Sequence, residues 1–218
     1  MTEGCDGDER CCFDDWVGSW QRRLRDQEVA KPVTAALLEA IDRAGFQGRT
    51  LLDLGCGVGD LGIAAVGRGA ASTRGYDLSP AAVAGARRLA AERGVSERSA
   101  FEVGDAAQTE LPEADVVVLN RVFCCYPNVD GLLERSLAAA RTTFAFTMPR
   151  SRGPVGAFSR VSAMIGNAWY AIRKEKFRGF RVYIHDVRMV DERIRRAGFR
   201  PVVERPTRVT WWLAVYAR

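Results

Sequence analysis

Apolar and polar positions follow two periods along this chain, and together they predict a sheet flanked by helices. Short runs rich in Val, Leu and Ile indicate buried strands, and between them apolar residues recur every three or four positions, as in amphipathic helices. The predicted strands are Thr50–Leu54, Ser72–Asp77, a third marked by Phe101 and Val103, Asp115–Asn120 and Thr142–Met148. The predicted helices are Phe13–Gln27, Pro32–Gly45, Val58–Arg68, one that Ser79 caps and Gly94 ends, and one that Asn128 or Asp130 caps. This alternation favours a doubly wound, mostly parallel α/β sheet.

The alternation stops after the fifth predicted strand. An amphipathic segment follows Pro149, and one face of it carries Phe158, Val161, Ile165, Ala168, Trp169 and Ile172. The basic, aromatic stretch 173–181 comes next. Two interpretations are open: a helical lid over a substrate cleft, or peripheral membrane contact through residues 155–181. We favour the lid, because the segment lies between core strands and its apolar face is short.

The end of the chain returns to regular structure. Asp186 is expected to cap a helix that ends at Gly198. Two apolar segments, Phe199–Glu204 and Val209–Tyr216, are separated by Pro206 and predict a closing antiparallel hairpin.

Size and composition bound the class of protein. With 218 residues and a net charge of +5, the chain is interpreted as one domain, residues 1–218, with an N-terminal helical cap (1–30) and the lid insertion (149–185). No apolar run approaches the roughly 20 residues of a membrane span. The polar, acidic segment Met1–Arg10 is unlike a secretory signal, so a cytoplasmic location is expected. The arginines are dispersed over helix faces and no nucleic-acid-binding module is recognised, so no nucleic-acid partner is expected.

The chain has six cysteines, and four of them form adjacent pairs, Cys11–Cys12 and Cys124–Cys125. Because no Cys-x-x-Cys pair occurs, a structural metal site is not predicted. If the two pairs meet over the cleft, their thiols would suit a soft metalloid or thiol substrate.

The strongest candidate for a binding site is the segment Leu51-Leu-Asp-Leu-Gly-Cys-Gly-Val-Gly-Asp60. Glycines 55, 57 and 59 allow a tight turn after the first strand and let a ligand approach the backbone closely. Acids follow three successive strands at Asp53, Asp77 and Asp105. In a doubly wound sheet those strand ends share one edge, where Asp77 suits ribose hydroxyls and Asp105 suits the exocyclic amine of adenine.

A nicotinamide dehydrogenase is the rival interpretation, since Gly57-Val-Gly-Asp-Leu-Gly62 satisfies the dinucleotide-binding pattern. The anionic pyrophosphate of a dinucleotide would be repelled by Asp53 and Asp60 beside the glycines. A cationic sulfonium ligand would be attracted, so charge favours a methyl donor.

These segments, with Gly-Tyr-Asp77-Leu78-Ser-Pro, Gly-Asp105-Ala106 and Asp-Val-Val-Val-Leu-Asn120, resemble the class I methyltransferases that use S-adenosyl-L-methionine. The resemblance implies a Rossmann-like, seven-stranded sheet with strand order 3-2-1-4-5-7-6. It also implies the site residues. Asp53, Gly55, Gly57 and Gly59 would hold the methionine part, Asp77 with Leu78 the ribose, and Asp105 with Ala106 the adenine. Asn120 and Arg121 would line the methyl-transfer site, which Trp16 and Trp20 help to close.

The segment Arg181-Val-Tyr-Ile-His185 resembles magnesium-protoporphyrin IX O-methyltransferases, which esterify a porphyrin propionate. The resemblance implies an anionic substrate gripped by Arg181 and oriented by Tyr183 or His185. His185 is the only histidine and therefore a candidate for proton transfer, alongside Tyr126 and Arg121. The chain departs from that group at Cys125, where the group usually has histidine before Tyr-Pro.

The sequence therefore predicts an S-adenosylmethionine-dependent methyltransferase acting on a small molecule, by O-methylation of an anionic or aromatic acceptor. The alternatives are methylation of a thiol or soft metalloid through Cys11, Cys12, Cys124 and Cys125, or a noncatalytic or membrane-associated cofactor-binding protein. The oligomeric state is not predicted.

Overall fold

A computed structural model describes residues 12–24, 27–173 and 180–218 of the chain. Within these ranges, seven strands form one sheet in the order β3-β2-β1-β4-β5-β7-β6. They are β1 (Thr50–Leu54), β2 (Ser72–Asp77), β3 (Ser99–Val103), β4 (Ala114–Asn120), β5 (Ala140–Pro149), β6 (Arg200–Thr207) and β7 (Trp211–Ala217). Neighbours are parallel except β7, which runs antiparallel to β5 and β6. The expected class I methyltransferase sheet and its strand order are confirmed.

Helices cover both faces of this sheet. They are α1 (Asp14–Leu24), α2 (Pro32–Arg43), α3 (Asp60–Gly67), α4 (Pro80–Glu92), α5 (Val129–Ala139), α6 (Gly153–Ile172) and α7 (Val187–Arg196). Leu51 belongs to a core cluster with Leu37 and Ile41 of α2, whereas Leu52 belongs to a second cluster with Leu133 of α5. Because side chains alternate along a strand, both faces of β1 are buried, as expected of a central parallel strand.

The predicted helix caps form. The Oγ of Ser79 accepts a hydrogen bond from the first turn of α4 at 2.9 Å, and the carboxylate of Asp186 accepts one from the first turn of α7 at 3.0 Å. Of the two candidates for α5, Asn128 is the cap, and it accepts a hydrogen bond from Gly131 at 3.4 Å.

Several helix boundaries differ from the prediction by one to three residues. Gln27, predicted as the last residue of the first helix, is not helical, and α2 ends at Arg43 rather than Gly45. α3 begins at Asp60 rather than Val58, because Gly59 before it has a left-handed conformation with φ of 72°.

The closing hairpin is confirmed, but its predicted turn is wrong. Pro206 lies inside β6, paired with Trp212, and the turn follows at residues 208–210. β6 is the edge strand of the sheet, where a proline that lacks an N–H is tolerated. Val209, predicted to start the last strand, lies in the turn with φ of 55°.

The 149–185 segment contains α6, and its apolar stripe does not face a cleft. Phe158, Val161, Ile165, Trp169 and Ile172 are all exposed, while the buried residues of α6 are Gly156 and Ser159. Periodicity shows which residues share a helix face but not whether that face points inward. Within the described ranges, no helix has the length and apolarity needed to cross a membrane.

Candidate cofactor and acceptor site

A cavity of about 330 Å³ opens at the carboxyl edge of the sheet, between β1, β2 and β4. The predicted site residues that line it are Trp20, Gly55, Gly57, Asp77, Leu78, Asp105, Ala106, Asn120, Arg121 and Tyr126. Asp53, Gly59, Arg181, Tyr183 and His185 are not among its lining residues. The Trp16 side chain lies outside the described part of the chain.

The glycine loop forms the floor of the cavity. Gly55 has φ of 72°, and a Cβ there would lie 2.5 Å from a methyl group of Val122. Gly57 has φ of 56°, and its N–H donates to Oδ2 of Asp77 at 2.7 Å. L side chains rarely adopt such φ values, so glycine is required at both positions. Gly59 lies behind the loop, where a Cβ would meet the Phe101 ring at 2.8 Å.

Asp77 is the last residue of β2 and lines the cavity. Its Oδ1 accepts a hydrogen bond from the Ser79 N–H at 2.9 Å, and its Oδ2 accepts the one from Gly57. Burial raises the pKa of Asp77, and the two backbone donors oppose that rise. A carboxylate can accept about four hydrogen bonds, so two backbone donors leave capacity for a ligand.

Asp105 lies two residues after the end of β3 and lines the same cavity. The Tyr126 hydroxyl donates to its two oxygens at 3.0 and 2.9 Å, the Ala107 N–H donates at 2.9 Å and the Gln108 amide at 2.7 Å. Three donor groups therefore fix the orientation of this carboxylate beside Ala106.

The expected role of Asp53 requires correction. Its side chain is 1% exposed, and its Oδ1 has no hydrogen-bond partner. Burial, reinforced by the nearby Asp60 and Asp77, raises its pKa to about 8. Strand alternation places Asp53 on the same face as Leu51, under α3, so its carboxyl does not line the cavity.

Sequence reasoning missed Lys31, which lines the cavity just before α2. Its ammonium group lies 5.2 Å from the centroid of the Trp20 ring, and Trp20 in turn lies against Gly57. Burial, together with the like charge of Arg121, lowers the pKa of Lys31 to about 8. The only sequence signal is rarity, since lysine is scarce among the cationic residues of this chain.

Asp60 also lines the cavity at the Lys31 end. Its Oδ2 accepts a hydrogen bond from the Ala30 N–H at 2.7 Å, which fixes the segment that leads into α2. Burial raises the pKa of Asp60, and the neighbouring Lys31 charge opposes that rise.

The end of β4 contributes two residues with different roles. Two hydrogen bonds orient Asn120: its amide donates to Thr34 Oγ1 at 2.9 Å, and its Oδ1 accepts from Thr147 Oγ1 at 2.8 Å. Arg121 has φ of 64°, which is uncommon outside glycine and typical of functional sites. Its guanidinium lies 5.1 Å from the Trp211 ring.

A group of aromatic rings also lines the cavity. Its members are Phe13, Tyr170, Phe180 and Trp211. The Phe13 and Phe180 rings meet edge to face with centroids 5.6 Å apart, and Tyr170 meets Phe180 at 5.1 Å. One aromatic wall is therefore formed by Phe13 of the N-terminal segment, Tyr170 of α6, and Phe180.

Within the segment 181–185, Val182 lines the cavity, whereas Arg181, Tyr183 and His185 do not. The His185 Nε2 lies 2.9 Å from the Tyr126 carbonyl oxygen, which can only accept, so Nε2–H donates. The Tyr183 N–H donates to the Cys124 carbonyl at 2.8 Å, and Arg181 is exposed. These contacts do not support the expected catalytic role of His185 or the substrate roles of Arg181 and Tyr183.

The adjacent cysteines Cys124 and Cys125 line the cavity, with their sulfur atoms 3.6 Å apart. Cys12 is buried and does not line it, and burial raises its pKa to about 11. Cys11 lies outside the described residues. The described part of the chain thus brings two of the four predicted thiols into the cavity.

Comparison with known proteins agrees with this geometry. A family model described as "Methyltransferase domain" matches residues 52–142, which include the glycine loop, Asp77 and Asp105. The ribosomal protein L11 methyltransferase of Klebsiella pneumoniae (strain 342) is 44% identical over 89 residues, 41% of this chain and 30% of that protein. The chain thus spans about a third of the length of the curated relatives it matches.

Solved structures match over nearly the whole chain. The magnesium protoporphyrin IX methyltransferase of Synechocystis PCC 6803 with bound SAH has a TM-score of 0.70 at 19% identity, covering 96% of this chain and 97% of that one. An S-adenosylmethionine-dependent methyltransferase from Mesorhizobium loti has a TM-score of 0.65 at 18% identity, covering 85% and 98%. Residues 52–142 therefore match a methyltransferase domain, in a chain that shares the fold of these solved structures.

Proposed function

We propose that the protein transfers a methyl group from S-adenosylmethionine to a small molecule, by O-methylation of an anionic or aromatic acceptor. The observation that carries this proposal is the polarity of the cavity. Its lining combines the carboxylates of Asp77 and Asp105 with the Arg121 guanidinium and a group of aromatic rings. The carboxylates suit a nucleoside, and the guanidinium and the rings suit a flat or anionic molecule.

The residues present fit the cofactor on two observations. The left-handed backbone at Gly55 and Gly57 keeps the cavity floor free of side chains. A chain of contacts then runs from Asp77 through Gly57 and Trp20 to Lys31. We infer that Asp105 takes the adenine amine, Asp77 the ribose hydroxyls and Lys31 the carboxylate of the methionine part.

When bound, the cofactor supplies a methyl group that its sulfonium sulfur already activates. The protein then has to align the acceptor with that methyl group and exclude water. Arg121 would hold an acceptor anion, and Tyr170, Phe180 and Trp211 would pack against its body and exclude solvent. A carboxylate acceptor is already deprotonated at neutral pH and needs no general base. The engagement of His185 and Tyr126 in other hydrogen bonds supports this choice.

The acceptor is found by incubating cell extract with the protein and isotopically labelled S-adenosylmethionine, followed by mass spectrometry. A labelled carboxylate ester or aryl ether supports the proposal, and label only in ribosomal protein L11 contradicts it. A metalloporphyrin carboxylate should also be tested as a purified acceptor, because a protein of the same fold carries that substrate in its name.

Arg121→Asn tests the acceptor end without a backbone penalty, since Asn tolerates left-handed φ. The matched control is Arg208→Asn, because Arg208 has φ of 47° in the exposed β6–β7 turn. We expect methyl transfer to fall at least about 30-fold in the first variant, the effect of losing a charge-assisted hydrogen bond. The control keeps full activity, and both bind S-adenosylhomocysteine normally.

A thiol or soft metalloid is the second candidate acceptor. The proximity of the Cys124 and Cys125 sulfur atoms inside the cavity favours it, because soft ligands of this type bind soft acceptors. Of the three cysteines of these pairs that the structure describes, Cys124 and Cys125 line the cavity and Cys12 does not.

A further inference from the structure

The surface of α6 carries an unusual concentration of exposed apolar side chains. Phe158, Val161, Met164, Ile165, Trp169 and Ile172 are exposed, from 44% for Trp169 to 83% for Ile172. In the described part of the chain only three other large hydrophobic residues are exposed, Val103, Val202 and Val209, and they are scattered over different strands and a turn. Soluble monomers rarely leave a contiguous apolar surface of this kind open to water.

The exposed residues form one continuous face. At about 100° per residue, the six side chains, with Ala157 and Ala168, span an arc of about 140° around the helix. The opposite side carries Asn167, whose amide donates to the Val182 carbonyl at 2.9 Å and whose Oδ1 accepts from the Val182 N–H at 2.8 Å. This pair of hydrogen bonds fixes the rotation of α6, so the apolar face points outward.

Within α6 and Arg173, which follows it, only positive charges border this face. The sequence of α6 contains no Asp or Glu. Arg160 falls about 40° beyond one border of the apolar arc and Arg173 about 40° beyond the other, and both are exposed. The Arg173 guanidinium lies 5.0 Å from the Trp169 ring, and the sequence continues with five cations and one acid over residues 173–181.

This charge pattern identifies the occupant. A second copy of α6 would bring arginines to the same border without any carboxylate to pair with them. A bilayer with anionic headgroups satisfies both features, since its acyl boundary takes the apolar arc and its phosphates take the arginines on either side. We propose that α6 is an interfacial helix that docks this protein on anionic membranes.

Docking in this orientation places the cavity next to the bilayer. Tyr170, on the inner side of α6, lines the cavity, and so does Val182, which Asn167 holds. An amphiphilic molecule would then reach the aromatic wall from the membrane surface. The docking proposal itself does not rest on the proposed methyl transfer, because lipid binding is measured without it.

The test is flotation of the full chain with vesicles of phosphatidylcholine alone and with vesicles that also contain phosphatidylglycerol. We expect binding to the anionic vesicles, little binding to the zwitterionic ones, and weakening at high salt. Phe158→Ser with Ile165→Ser should reduce binding at least tenfold. The matched control, Val103→Ser with Val202→Ser, removes two equally exposed apolar side chains elsewhere and should bind normally.

Two further variants separate charge from apolarity and guard against misfolding. Arg160→Ser with Arg173→Ser should lower binding about fivefold for each arginine removed, whereas Arg200→Ser with Arg205→Ser on β6 should not. S-adenosylhomocysteine binding and the thermal transition confirm that each variant folds. The proposal is overturned if the wild type does not bind anionic vesicles, or if the variant with both Phe158 and Ile165 replaced binds them as well as the wild type does. It is also overturned if the protein forms a dimer that this variant dissociates and that lipid vesicles leave intact.

Discussion

The hydroxyl of Tyr126 donates to both carboxylate oxygens of Asp105, at 3.0 and 2.9 Å, across the wall of the cavity. Burial and the Asp105 carboxylate raise the pKa of Tyr126 well above its ordinary value. Such a phenol keeps its proton at neutral pH and is a poor proton acceptor. Under the proposed function, its role is to hold Asp105 in place for the cofactor.

Tyr126→Phe should therefore affect cofactor affinity and not the chemical step. Loss of one hydrogen bond to a charged group predicts a five- to tenfold weaker Kd for S-adenosylhomocysteine, about 1–1.5 kcal/mol. The value of kcat should stay within about threefold of wild type. Calorimetry and steady-state kinetics measure the two effects, with Tyr183→Phe outside the cavity as the control. A 100-fold loss of kcat would restore Tyr126 as a proton-transfer residue.

Lys31 provides a second test, because it lies at the end of the cavity opposite Asp105. If its ammonium binds the methionine carboxylate, Lys31→Gln should weaken S-adenosylhomocysteine binding about 10- to 100-fold, as for a lost charge-assisted hydrogen bond. Binding of 5′-methylthioadenosine, which has the nucleoside but no carboxylate, should be unchanged. Equal loss for both ligands would show that the substitution damages the cavity in general.

The pH dependence of the same interaction has a defined sign. The pKa of Lys31 is lowered to about 8, so the free protein loses this cation as the pH rises above 8. Affinity for S-adenosylhomocysteine should then fall, by up to about tenfold per pH unit. Lys31→Arg keeps its charge in this range, and its affinity should stay level.

Much of the fold follows from local sequence signals. Buried strands that alternate with helices lead to the doubly wound sheet, and Ser79 and Asp186 cap the helices they were expected to cap. Asn128 is selected over Asp130. Pro206 misleads because a proline at a sheet edge looks, in sequence alone, the same as one in a turn. The edge position of β6 becomes known only when the strands are assembled.

The site is less predictable, and the reasons are geometric. The acids at the ends of β2 and β3 reach the cavity because parallel strands end at a common edge. Asp53 lies one residue before the end of β1, but period-two alternation turns it under α3. Lys31 reaches the cavity through tertiary packing against Trp20, which no local pattern encodes. The side of α6 that faces inward is fixed by the Asn167–Val182 hydrogen bonds.

His185 was expected to transfer protons, and its hydrogen bond to the Tyr126 carbonyl predicts a structural role instead. His185→Gln retains a donor at a similar position, so methyl transfer and thermal stability should stay close to wild type. His185→Ala should lower the free energy of unfolding by about 1 kcal/mol, with kcat unchanged. A large loss of kcat in a folded His185→Gln enzyme would contradict this assignment.

The two thiols in the cavity allow a direct choice between acceptor classes. Under the proposed function, Cys124→Ser with Cys125→Ser should keep methyl transfer within about threefold, since serine preserves size and the reaction does not use sulfur. Phenylarsine oxide, a trivalent arsenical, should bind wild type and not this variant. Cys12→Ser, at a buried position outside the cavity, is the control. Loss of methyl transfer with normal S-adenosylhomocysteine binding would favour the thiol or metalloid acceptor.

Asp53 makes stability depend on pH in an unusual direction. Its pKa is about 8 in the folded protein and 3.8 in its ordinary state, so between these values the folded chain holds a proton that the unfolded chain has released. With respect to this group, the free energy of unfolding is highest below pH 4 and falls as the pH rises to 8. Asp53→Asn removes the loss, and we expect the variant to be more stable than wild type at pH 8 by at least about 1 kcal/mol.

Asp115 offers a matched carboxylate with the opposite behaviour. It accepts hydrogen bonds from the Thr50 N–H at 2.9 Å and the Thr50 hydroxyl at 2.8 Å, and these contacts lower its pKa. Its contribution is present at neutral pH and lost in acid, so Asp115→Asn should destabilise at pH 7. Urea unfolding from pH 4 to 9 measures both variants. If Asp53→Asn is less stable than wild type at pH 8, the Asp53 carboxyl is ionised and favourably paired in the folded protein, and the prediction is wrong.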